Sequence, residues 1–224
     1  MLSDTICYIP KSEKTEKVVI MLHGYGSDGN DLISMAPFMG VHLPNTAFYA
    51  PDAPEKMNFM SGFKWFDIET EASVSVFSHS DYIERLMERA KNILPIVDDF
   101  IDRICQKHQL NREQVILMGF SQGGLIALMS GILLQPQLAG VIACSAVPVM
   151  MNETLLPKDI KSKPPILLTH GTDDDVVPFV AMQMTQNTLK NIDTVVQTHI
   201  VPGMGHNIDQ SCVMAMINFI KNLG

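Results

Sequence analysis

Apolar residues fall along the chain in short, nearly unbroken runs, each closed by a glycine or turn former and followed by a helix-compatible stretch. Residues 17–22 (KVVIML) lead into HGYGSDGNDL, 46–50 (TAFYA) into PDAP, and 114–120 (QVILMGF) into SQGGLIALMSGILL. GVIACSA at 140–146, PILLTHG at 165–171 and TVVQTHIV at 194–201, closed by PGMGH, continue the series. Continuous rather than alternating runs mean strands buried on both faces, so the pattern predicts a largely parallel sheet with helices on either side. Helical spacing supplies that cover. Residues 82–108 carry apolar side chains from Ile83 through Ile104, with Pro95 expected to kink them, and helices over 179–191 and 211–223 follow. No repeat, linker or low-complexity segment divides residues 1–224, which read as a single α/β domain.

One stretch breaks the alternation. Residues 51–81 hold Pro51, Pro54, Gly62 and the aromatics Phe59, Phe63, Trp65 and Phe66, including the only tryptophan. A segment of that length without periodicity, carrying apolar rings, reads as a small cap or substrate loop. A second stretch, residues 114–152, has no charged side chain or histidine. Gly119, Gln122, Gly123, Gly124, Gln135, Pro136 and Gln137 interrupt it, so it reads as a buried strand, helix and strand rather than an integral membrane segment. The first residues show no basic-then-apolar signal pattern, and the chain is expected to be soluble and cytoplasmic, with peripheral membrane contact left open.

Composition narrows the function classes. With 46% apolar and 18% charged residues, the chain can build a packed core and is not intrinsically disordered. Sixteen Lys and Arg against twenty-four Asp and Glu give a net charge of −8, which speaks against a nucleic-acid partner. Cys7, Cys105, Cys144 and Cys212 lie far apart among apolar neighbours, a pattern of reduced thiols rather than disulfides or a zinc site. His42, His79 and His108 are scattered without ligand spacing, and neither a metal nor another cofactor is implied.

Candidate chemistry sits at the ends of the strands. Gly119-Phe120-Ser121-Gln122-Gly123 is a G-x-S-x-G motif after one strand and before one helix, the setting of a nucleophile elbow. Flanking glycines permit a sharp turn, and the helix start favours negative charge developing on the substrate. A serine hydroxyl needs a base and an orienting carboxylate, which follow it in this chain order. His170, His199 and His206 are the downstream histidines; His199 lies within a strand pattern, whereas His206 lies in the turn PGMGH just past one and is the candidate base. Asp173, Asp174 and Asp175 follow another strand end, and Asp174 is the candidate acid, its neighbours facing solvent or shaping the turn. Two backbone donors are needed for an oxyanion: Gln122, after the serine, and Tyr25 in HGYG. His23 reads as an internal hydrogen-bonding residue.

LHGYGSDGNDL, KWFDI, GFSQGG, HGTDDDVVP and GMGH occur in this order from residue 18 to 206 and resemble the acyl-protein thioesterase / phospholipase–carboxylesterase family of α/β-hydrolases. The resemblance implies an α/β-hydrolase fold with a mostly parallel sheet of seven to eight strands and a small cap. It likewise places the acid on Asp174 and an oxyanion donor on Tyr25, where the family more often has Leu. It implies hydrolysis of carboxylic esters or thioesters with apolar acyl chains through an acyl-enzyme on Ser121. The substrate is a small ester, a lysolipid or an acylated protein, and the protein a monomer or homodimer. Phe59, Met60, Trp65 and Val147 are the expected acyl contacts. A lysophospholipase or short-chain carboxylesterase is the nearest alternative, and a catalytically silent scaffold of the same fold a further one.

Overall fold

The computed structural model describes residues 2, 5–10, 14–58, 61–68, 80–152 and 154–224. Its main sheet has seven strands: β1 (Thr5–Tyr8), β2 (Lys17–Leu22), β3 (Thr46–Pro51), β6 (Val115–Phe120), β7 (Gly140–Cys144), β8 (Ile166–Gly171) and β9 (Val196–Val201). They stand in the order β1-β3-β2-β6-β7-β8-β9, with β1 antiparallel to β3 and every other pair parallel. The intervening β4 (Glu55–Lys56) and β5 (Phe63–Lys64) form a separate hairpin.

Strand chemistry explains the layers. Alternate side chains of a strand point to opposite faces, so an unbroken apolar run feeds two cores at once. Val18, Ile20 and Leu22 of β2 pack with α3 (Ser80–His108), α4 (Gln122–Leu133) and α5 (Val180–Asn191). Val19 and Met21 pack with α1 (Gly29–Ile33), α2 (Ala36–His42) and α6 (Gln210–Lys221) on the other face. Every residue of α4 is buried, as its all-round apolar sequence requires. The long α3 is one continuous helix with Pro95 inside it. Buried Arg112 ties it to the turn before β6, with guanidinium nitrogens 2.5 Å from Asp98 and 2.6 Å from Asp102.

The strand order fixes where a ligand can sit. From β2 the chain steps to β3 on one side and returns to β6 on the other, so the connections diverge between β2 and β6. In open α/β sheets a crevice opens there, beyond the carboxyl ends of the strands. Tyr25 follows β2 and Ser121 follows β6, on the two sides of that crevice.

Candidate active site

Ser121 is held in a conformation few side chains accept. Its backbone is at φ 53°, ψ −114°, a sparsely populated region that costs about 1–3 kcal/mol for a residue with a Cβ. Its surroundings maintain this turn: Ser121 N donates to Cys144 O at 3.0 Å and Ser121 O accepts from Gly124 N at 3.0 Å. The glycines answer to close approach. A Cβ on Gly119 would lie 2.1 Å from Gly123 O, and one on Gly123 would lie 2.1 Å from Leu22 O. The motif therefore locks β6, α4 and the end of β2 together around the serine.

Asp174 and His206 meet across the later loops. His206 Nδ1 lies 2.9 Å and 3.1 Å from the two carboxylate oxygens of Asp174, which can only accept from it. That bond puts the proton on Nδ1 and leaves Nε2 as the acceptor. The Asp174 side chain is fully buried. Burial alone would raise its pKa, but bonds from His170, His206 and the Val177 N–H (2.8 Å) hold the carboxyl well below the usual carboxylate range. His170 is the unexpected partner: its Nε2 lies 2.8 Å from Val177 O and 3.3 Å from Asp174 Oδ2. A carbonyl accepts only, so this nitrogen carries a proton that both oxygens share.

Among the described residues, the ring of His206 hydrogen-bonds to Asp174 alone, and none of its bonds reaches the Ser121 hydroxyl. The ring does lie against Phe120, the neighbour of Ser121, with centroids 4.7 Å apart. Phe120 and Asn207, flanking the serine and the histidine in the chain, help line a cavity of about 140 Å³ with Asp31, Leu32, Ser34, Met35 and Ile208.

The N–H groups of Tyr25 and Gln122 donate to no other protein group among the described residues. His23, beside the first of them, is spent internally, its Nδ1 donating to Gly24 O at 2.7 Å and its Nε2 accepting from Ala53 N at 3.0 Å. Burial pushes its pKa down, so it stays neutral. His199 pairs with Ser211 on the outer side of β9, away from this arrangement.

The expected acyl contacts fare differently. Phe59 and Met60 lie outside the described residues. Trp65, expected to face an acyl chain, has no exposed surface: its indole N–H donates to His23 O at 2.9 Å and its ring packs 5.5 Å from the His23 ring. A flat apolar residue in a capping segment suggested a groove wall, but its single polar atom found a buried carbonyl. Val147 is buried, with its N–H 3.4 Å from Ser121 O. Gln122 contributes more than its backbone N–H: its side chain accepts from Trp65 N at 3.0 Å and donates to Phe66 O at 2.8 Å.

This order of strands, crossovers and strand-end residues defines an α/β-hydrolase. More closely, the chain belongs to the phospholipase/carboxylesterase family, whose model matches residues 5–223. It is similar to carboxylesterase SOBER1 of Arabidopsis thaliana, 32% identical over 212 residues, covering 91% of this chain and 89% of that protein. Acyl-protein thioesterase 1 of Gibberella zeae is 25% identical over 209 residues, covering 88% and 86%. Among solved structures, that of esterase PE8 superposes with a TM-score of 0.87 at 32% identity, covering 98% of each chain. The protein is a hydrolase of the esterase class.

Proposed function

We propose that the protein hydrolyses carboxylic esters or thioesters with apolar acyl chains through an acyl-enzyme on Ser121. The observation that carries this reading is the Asp174–His206 bond of 2.9 Å beside a backbone-strained serine at the head of a buried helix. His206 Nε2 takes the Ser121 proton as Oγ attacks the acyl carbon, and the carbonyl electrons move onto oxygen. The N–H groups of Tyr25 and Gln122 receive that oxyanion. The intermediate collapses, His206 returns the proton to the leaving alcohol or thiol, and water repeats the sequence on the acyl-enzyme. Asp174 fixes the imidazole tautomer and stabilises the imidazolium. Formation of the Ser121–His206 hydrogen bond belongs to the substrate complex, since catalytic bonds often tighten only there. The cavity beside Phe120 and Asn207 receives the leaving group. Free thiols throughout are consistent with a reducing, cytoplasmic setting.

Covalent labelling by an alkyl fluorophosphonate tests the reading. The folded protein is expected to be labelled and Ser121→Ala to be blank; an unlabelled wild type would favour a silent scaffold. A chain-length series of nitrophenyl esters beside a matched acyl thioester then separates long-chain, short-chain and thioester preference.

A further inference from the structure

The segment that runs past the oxyanion loop is fastened to it by three hydrogen bonds. Gly26 N donates to Phe63 O at 2.8 Å and Phe63 N to Ser27 O at 2.8 Å, a short antiparallel bridge between the loop and β5. Gly62, at φ +106°, leaves no room for a Cβ, which would lie 2.1 Å from Gly26 O. The Trp65 indole N–H bonds to His23 O at 2.9 Å. From the other side, the buried carboxamide of Gln122 takes the backbone of Trp65 and Phe66 as a two-point clamp, accepting at 3.0 Å and donating at 2.8 Å. The residues flanking Tyr25 and the side chain of Gln122 come from different elements, yet both are tied to the same five residues, 62–66.

We infer that the Gln122 side chain is a positioning residue for the oxyanion site. By clamping the Trp65–Phe66 backbone, it sets the distance between its own N–H and that of Tyr25 through the 62–66 segment. This rests on the esterase reading above. The amide group is required because one atom must accept and its neighbour must donate; only Gln or a neutral Glu does both at this length. An oxyanion donor displaced by a fraction of an ångström loses much of its worth, so the clamp acts on the transition state rather than on substrate binding.

Two variants test this. Gln122→Met keeps the length and the backbone N–H but removes both bonds. Its kcat is expected to fall about 100-fold, with KM changed less than about threefold. Affinity for an alkyl trifluoromethyl ketone, whose carbon bonds to Ser121 Oγ and whose oxygen becomes the oxyanion, should fall by the same factor. Gln122→Glu keeps both bonds when neutral and loses the donor when ionised, so its kcat relative to wild type should rise as pH falls. The neighbouring titratable groups do not mimic that profile: His23 is held neutral by burial, and Lys64 is ion-paired with Asp67 and, at 3.6 Å, with Glu55. A Gln122→Met enzyme with unchanged kcat and ketone affinity overturns the inference. If that variant does not fold, a pH-independent activity ratio for Gln122→Glu does so instead. Failure of the esterase reading itself would show separately, as wild-type protein that neither labels nor turns over.

Discussion

The backbone at Ser121 is held under strain by its surroundings. Replacing Ser121 by Ala leaves a Cβ at φ 53°, whereas Gly relaxes the turn. Ser121→Gly is therefore expected to be more stable than Ser121→Ala by about 1 kcal/mol, read from urea denaturation, with both inactive. Asp174→Asn preserves the shape but reverses the hydrogen bonding that His206 and His170 require; kcat should fall about 10⁴-fold. Two of the groups that shape the acid limb of stability are buried and act in separate windows. The folded protein holds His23 neutral below its ordinary pKa of about 6.5, so only the unfolded chain gains that proton, and stability falls as pH drops through that value. Asp174 is depressed instead, so its contribution is complete above the ordinary carboxylate range and declines below about pH 4. Urea midpoints at pH 7.5 and 5.5 should differ, and His23→Gln should narrow the difference. The thiols divide as sharply: burial pushes Cys144 up to about 12 and Cys212 up to about 11, while Cys7 is exposed. Iodoacetamide at pH 8 should modify Cys7 first in the native protein.

Among the elements, most of those that the sequence displays are uniformly buried; β9 is the exception, expected from its apolar run to be buried on both faces but lying at the sheet edge with no residue fully buried. Residues 17–22 and 46–50 appear as β2 and β3 with one residue's difference, and 82–108 as α3 with two, because a strand or helix buried along its length must be apolar along its length. The elements absent from the sequence pattern are short or half-exposed. β1 has four residues, α1 five and α2 seven, no more than two periods each and too few for a pattern to stand out, and their order comes from what they pack on: Gly40 of α2 admits the ring of Tyr8. The site divides in the same way. Ser121, Asp174 and His206 announce themselves by residue type and strand-end position. The Gln122 clamp and the burial of Trp65 depend on contacts between residues far apart in the chain, and the second histidine on Asp174, four residues before it, depends on the turn that folds back after β8; no residue pattern marks any of them. Close packing of elements makes its own prediction at Gly123. Its Cβ would force β2 and α4 apart, so Gly123→Ala should cost about 1–3 kcal/mol and disturb the oxyanion loop that follows β2.

Across the whole molecule, the groups proposed for catalysis rest on strands of unequal security. Ser121 follows β6, buried at five of its six positions in the middle of the sheet, and Asp174 follows β8, buried throughout. His206 follows β9, the edge strand, of which no residue is fully buried. Local opening begins where few apolar contacts and few ladder bonds hold the chain, so β9 and the loop that bears His206 should release before the central strands. The single tryptophan offers a reporter at the other extreme: Trp65 is completely buried and bonded to His23 and Gln122, elements of the sheet centre. In a urea series, esterase activity is thus expected to vanish at a lower concentration than the Trp65 fluorescence transition. Far-UV circular dichroism should follow the tryptophan, because loss of one edge strand removes little of the secondary structure. Coincident midpoints for all three would mean that the edge strand melts only with the core, and that His206 is held as firmly as Ser121.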